Sequence, residues 1–287
     1  MRPMLHYTQR SVQMVFFYQF MLGLFASIFV AAAAFVFQWL TVSGALAAIL
    51  CGTLVIGFGP WYSIFLIGFF FASSGIIGLL KKMRSQPESA VLAKGARRDA
   101  KQVFANIAPS IFALLLAFWT KEPLFLWGFV AGIASCTADT WGSEIGVLSP
   151  SPPRHLLTGK KLPPGLSGGV SWLGTAASLA GSLAITGLFA TALWLNGKPF
   201  SFDLWLTLTA LGFCGSLLDS LLGATIQVRY QCPACHHYTE KKVHHDVATK
   251  QVGGLTFVTN EGVNLLTSIV IVILTVCFFY LKMSTAS

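Results

Sequence analysis

Charge is what this chain has least of. Of its 287 residues only ten are Asp or Glu and nineteen Lys or Arg, a tenth of the total. Soluble domains carry about a quarter, so a soluble fold with a polar shell is excluded. Cysteine is sparse too. Cys51, Cys136, Cys214 and Cys277, four of the six, lie in apolar stretches, where a buried thiol is ordinary and no disulfide framework is indicated. No Walker-type G-x-x-x-x-G-K-[ST] occurs, which sets aside the P-loop NTPases. The opening apolar run, Val12–Leu40, is too long for the core of a typical cleaved signal peptide. No inverted repeat, a mark of many transporters, is visible.

Apolar residues are what the chain has most of: 55% are hydrophobic and the mean hydropathy is +0.70. Eight segments stand out, at Val12–Leu40, Val42–Phe58, Trp61–Leu80, Val103–Trp119, Pro123–Ala138, Val170–Leu195, Phe202–Leu222 and Val263–Tyr280. A span needs about 20 apolar residues. The expected fold is therefore all-α, a polytopic membrane helix bundle of seven or eight spans forming one integral membrane domain over 1–287. The second segment is short and contains Gly44, Gly52 and Gly57; it either spans or re-enters. Fourteen of the nineteen basic residues fall in the loops 81–101, 140–169 and 223–262. The positive-inside rule makes those loops cytoplasmic, as in a bacterial-type plasma membrane. The net charge of +9 thus reports topology, not nucleic-acid binding.

Four polar clusters sit at the expected cytoplasmic boundary. The first is R-R-D-A-K-Q-V-F-A-N (97–106), whose Gln102 and Asn106 share a helix face at i, i+4. It also reads as an amphipathic helix start with snorkelling bases. The second runs from Asp139 to Gly169 and supplies Asp139, Ser143 and Glu144, then Arg154, Lys160 and Lys161, then Ser167, Gly168 and Gly169. Carboxylates hold divalent cations, amines neutralise phosphate, and glycine turns open backbone amides, so these are parts that phosphoryl chemistry needs. Lysines in such a loop also serve topology alone. The third cluster puts Asp219 in an apolar helix end, where an acid needs a cation or donors. The fourth offers Asn260 and Asn264 on one helix face; Asn260 alone also reads as a cap.

A loop at about 229–250 is of another kind. Cys232 and Cys235 form C-x-x-C, followed directly by His236 and His237 and later by His244, His245 and Asp246. This is half of a zinc knuckle that histidines complete, or a pair of free thiols. C-x-x-C-H also matches c-type haem attachment, against which the cytoplasmic placement argues.

Taken jointly, S-G-A-L-A-A (43–48), R-R-D-A-K-Q-V-F-A-N (97–106), A-D-T-W-G-S-E-I-G (138–146), S-P-P-R (151–154), P-P-G-L-S-G-G-V (163–170), L-D-S-L-L-G-A-T-I-Q (218–227) and N-E-G-V-N (260–264) resemble the transmembrane protein 19 and phytyl-phosphate kinase family of integral membrane proteins. The resemblance covers about 43–281. It departs at Ile107-Ala108, where the family often has Gly-Gly, and it assigns no role to the Cys/His loop. D-T-W-G-S-E-I-G is also similar, more distantly, to CTP-using dolichol and phytol kinases. The resemblance implies a kinase that moves a phosphoryl group from CTP or another nucleoside triphosphate to a prenyl monophosphate. It implies Mg²⁺ on Asp139, Glu144 and Asp219. Nucleotide and substrate would meet Gln102, Asn106, Ser143, Arg154, Lys160, Lys161, Ser167–Gly169, Asn260 and Asn264. A lipid-phosphate transporter or flippase, or a membrane cytidylyltransferase, are the competing expectations.

Overall fold

A computed structural model describes residues 2–83, 97–199 and 201–286. The basic residues Arg84 and Lys94, counted above toward topology, lie outside the described residues.

Each apolar segment is a helix: α1 (Arg2–Val36), α2 (Val42–Phe58), α3 (Ser63–Met83), α4 (Ala100–Thr120), α5 (Pro123–Gly146), α6 (Trp172–Leu195), α7 (Phe202–Thr225) and α8 (Asn260–Ala286). Six of them, α1, α3, α4, α6, α7 and α8, carry a stretch long and apolar enough to cross a membrane, and α2 is a shorter apolar helix. Helix α5 is the hub. Every residue from Gly128 to Ala138 is buried, and α3, α4, α6, α7 and α8 all pack on it. A helix enclosed on every side is a core helix. Small residues set the close spacing. A Cβ on Gly132 would stand 2.1 Å from Ser110 Oγ of α4, and one on Gly142 would stand 2.1 Å from Ser178 Oγ of α6. Between α6 and α7 the glue is polar: Ser178 and Ser216 hydroxyls lie 2.9 Å apart and those of Thr186 and Thr209 2.7 Å apart.

Helix ends differ from the sequence expectation for local reasons. Helix α4 starts three residues before Val103, because Asp99 and Gln102 form a reciprocal capping box. Helix α5 continues to Gly146 where a loop is expected after Ala138. The added turns are held by packing: Trp141 Nε1 donates to Ser73 Oγ at 3.0 Å, and glycines 142 and 146 let α6 close in. The glycines of α2 do not break it into a re-entrant loop. Gly52 accommodates Ser27 and Gly57 accommodates Phe20, so they seat α2 on α1.

The chain is mostly helical, as expected, and short strands occur only outside the bundle. Strand β1 (Arg154–His155) pairs with β2 (Gly169–Val170). Further on, β3 (Arg229–Gln231), β4 (Tyr238–Thr239) and β7 (Lys250–Gly253) make a sheet ordered β4-β3-β7, beside a hairpin of β5 (Val243–His244) and β6 (Val247–Ala248). These strands are too short to show periodicity. The module leaves and rejoins the bundle at one neck, where Val228 N donates to Val258 O and Leu255 N to Ile226 O, each at 2.9 Å. At that neck Gly254 (φ +72°) lets its chain cross Gln227, whose carbonyl oxygen would be 2.0 Å from any Cβ.

Candidate functional site

Helices α4, α5, α7 and α8 meet around a small polar cleft lined by Asn106, Ser135, Cys136, Asp139, Asp219, Asn264, Thr267 and Ser268. Asp139 and Asp219 are half-buried. Pro109 lies within α4 one turn beyond Asn106 and interrupts its backbone ladder. Close to that break, the Asn106 carbonyl accepts from Cys136 Sγ at 2.7 Å and from Ser268 Oγ at 3.2 Å, which ties α4 to α5 and α8. The Asn106 amide donates to Gln102 O at 2.9 Å. Thr267 Oγ1 stands 3.5 Å from Asp219 Oδ2.

Asn264 joins the helices in either orientation of its amide. In one, its Nδ2 donates to Asn106 Oδ1 at 3.2 Å. In the other, Nδ2 donates to Asp219 Oδ2 at 2.9 Å and to Asn260 O at 3.2 Å. The second orientation gives the Asp219 carboxylate a donor and leaves no oxygen facing it. Two carboxylates with two side-chain amides around one cleft are a hard-oxygen donor set of the kind divalent cations such as Mg²⁺ take.

Arg98, absent from the expected site residues, is a cation in electrostatic reach of Glu144 and Asp139. Burial lowers the pKa of its guanidinium, while Glu144, Cys136 and Asp139 act in the opposite direction. Its backbone is zipped to the α1–α2 corner: Arg98 N donates to Trp39 O at 2.9 Å and Thr41 N to Arg98 O at 3.0 Å. Gly44 makes this possible, since a Cβ there would stand 2.2 Å from Arg98 O. The two motifs S-G-A and R-R-D were visible separately, but only their tertiary pairing reveals the role of Arg98.

The other expected residues divide. Glu144 is off the cleft, in the electrostatic company of Arg98 and Asp139. Gln102 is committed to the α4 cap, its side chain accepting from Asp99 N at 3.1 Å. Ser143 is exposed and donates back to Thr140 O at 3.1 Å. Lys160 and Lys161 are exposed on the β1–β2 loop, where Arg154 donates to Gly159 O at 3.0 Å. Gly168 and Gly169 serve the turn itself. Gly168 (φ +81°) packs on the end of α7, and the Gly169 amide donates to Leu166 O at 3.3 Å rather than opening outward. Ser167 Oγ receives from Gln227 Nε2 at 2.8 Å and donates to Glu240 Oε1 at 2.5 Å. Burial raises the pKa of Glu240; hydrogen bonds from Ser167 oppose this and nearby Glu261 adds to it.

In the β module the expected ligand set changes. Cys232, Cys235, His244 and His245 bring their ligand atoms within 4.8 Å of one another; His236 and His237 are not in that group. The main chain of His236 forms the turn: at φ +57° its backbone N–H donates to Cys232 O at 2.9 Å. The backbone amide of Cys235, helped by His244, holds the Cys232 thiol down to about 6.

These observations define an integral membrane protein with a polar, carboxylate-bearing cleft among its helices. The chain belongs to the integral membrane protein DUF92 family, whose model matches residues 25–272. It is 33% identical over 267 residues to Protein PGR of Arabidopsis thaliana, covering 84% of this chain and 90% of that protein. It is 32% identical to the uncharacterized membrane protein MJ0933 of Methanocaldococcus jannaschii, over 64% of this chain and 73% of that one. No solved structure matches.

Proposed function

We propose that the cleft transfers a phosphoryl group from CTP or another nucleoside triphosphate to a prenyl, phytyl-like monophosphate, giving the diphosphate. The observation that carries this reading is the meeting of Asp139 and Asp219, from two helices, with Asn106 and Asn264. Acids within apolar helices are costly and mark function. Asp139 and Asp219 would hold Mg²⁺, with the Asn106 and Asn264 amides beside them; when bound, the ion neutralises triphosphate charge. An oxygen of the acceptor phosphate forms the new bond to the γ-phosphorus as the bond to the β-bridging oxygen breaks, and a nucleoside diphosphate leaves. The acceptor is already an anion, so no side chain has to take a proton from it. The chain's task is alignment and charge balance. Arg98 contributes fixed positive charge next to Asp139 and Glu144. We place the site on the cytoplasmic face, from the basic residues Arg97, Arg98, Lys101, Arg154, Lys160 and Lys161 beside it.

The test is turnover by the purified protein with phytyl or geranylgeranyl phosphate, Mg²⁺ and CTP. Diphosphate is the expected product. None with any nucleotide, alongside an active family member, rejects the kinase. Release of pyrophosphate instead indicates cytidylyl transfer, and nucleotide-independent uptake into liposomes indicates transport.

The capping box adds a sharper expectation. Gln102→Ala lowers thermal stability by about 1 kcal/mol, the usual size of a lost cap, and leaves the Michaelis constant for nucleotide near its starting value. Asn106→Ala raises that constant or lowers turnover. A shared Michaelis phenotype would return Gln102 to the cleft.

A further inference from the structure

The β module carries chemistry that phosphoryl transfer does not use. Cys232 and Cys235 sit at the turn after β3, and His244 and His245 sit at the tip of the β5–β6 hairpin. The two-residue tip, His245-Asp246, has φ +54° and +58°, the left-handed pair of a type I′ turn that non-glycine residues adopt at a cost. That backbone folds two histidines back onto two thiols. Cys235 Sγ lies 3.6 Å from His244 Nδ1. With zinc–sulfur near 2.3 Å and zinc–nitrogen near 2.0–2.1 Å, a tetrahedral S–Zn–N edge is about 3.6 Å. Four ligands of Cys₂His₂ type, within 4.8 Å of one another, suit a closed structural site with no open position.

The module has a second point of attachment. Glu240, between β4 and β5, accepts from Ser167 Oγ at 2.5 Å, and Ser167 in turn accepts from buried Gln227. Ser167 belongs to the turn that packs on the end of α7, the helix of Asp219. Glu240 is set between two parts that the metal would clamp: the Cys232–Cys235 turn before it and the His244–His245 tip after it. Before Glu240 the chain is held by β4, a two-residue edge of the β4-β3-β7 sheet; after it comes the β5–β6 hairpin, two residues a strand, and a two-stranded ribbon of that size is marginal alone.

We propose that Cys232, Cys235, His244 and His245 bind one zinc ion, and that this ion holds Glu240 on Ser167, bracing the turn over the end of α7. This does not depend on the kinase reading.

The test uses the full chain in detergent, purified without a polyhistidine tag. Metal analysis should find zinc in the parent and in His237→Ala, and lose it in Cys235→Ser and His244→Ala. Cobalt substituted for zinc should show thiolate-to-metal charge transfer, absent in Cys235→Ser. Hydrogen exchange read by mass spectrometry should show faster exchange across 163–170 after zinc is chelated from the parent, with helical circular dichroism kept. Glu240→Gln should keep its zinc yet show the same loosening. A zinc-free folded parent, or loss of zinc in His237→Ala to the extent seen in Cys235→Ser, overturns the ligand assignment. Unchanged exchange at 163–170 after chelation overturns the bracing role.

Discussion

Asp139→Asn and Asp219→Asn should each cut phosphoryl transfer by about 10²–10³-fold, the scale of losing one preorganised electrostatic group, while the protein stays folded. The replacement keeps shape and removes charge. In the apo protein it also removes an acid from the wall of an apolar bundle, so thermal stability should hold or rise. The discriminating measurement is the Mg²⁺ dependence: the midpoint of activation should move to higher concentration in both single variants. The double variant should fall little below the worse single one, because groups that act as a unit do not add. Equal losses with an unmoved Mg²⁺ midpoint would assign the acids to bundle structure instead. Glu144→Gln, off the cleft, should lose less than either.

Gly168→Ala should be strongly destabilising, a single methyl placed where the turn meets α7. Its φ of +81° disfavours any side chain, and a Cβ would come within 2.5 Å of Ala224 Cα and 2.7 Å of Ala224 N. Those neighbours are backbone in α7 and cannot rotate away. Gly159 is the control: its φ is +67° but nothing lies within 4 Å. Gly159→Ala therefore bears only the left-handed cost, about 1–2 kcal/mol. Gly168→Ala should exceed that by at least about 2 kcal/mol, as overpacking does. Thermal inactivation of the two variants in the same detergent gives the comparison. Ala224→Gly should not rescue, since the clash is with main chain. Equal losses in the two variants would mean that the turn is not seated on α7.

The bundle was legible because apolar runs of about 20 residues admit one structure in lipid. Helix limits were less so: nothing in T-W-G-S-E says that α5 continues past Ala138, because the glycines that let α6 pack there also read as loop residues. Asp139, Asp219, Asn106 and Asn264 were each visible as polar residues in the wrong solvent, and they do meet. Residues chosen for chemical type alone fared differently. Lys160 and Lys161 lie exposed on a hairpin, outside the residues that line the cleft. Arg98 went unselected because its meaning depends on Gly44, a contact across more than fifty positions of sequence. The histidines show the same limit: adjacency to Cys235 favoured His236 and His237, whereas a hairpin returns His244 and His245.

The neck at Ile226, Val228, Leu255 and Val258 has a consequence for how the chain tolerates insertion. Its two segments are hydrogen-bonded side by side, which ties the end of α7 to the approach to α8 independently of the residues between them. Loop closure depends only weakly on length. Residues added at the exposed tip of the β5–β6 hairpin should therefore leave the helices below paired as they are.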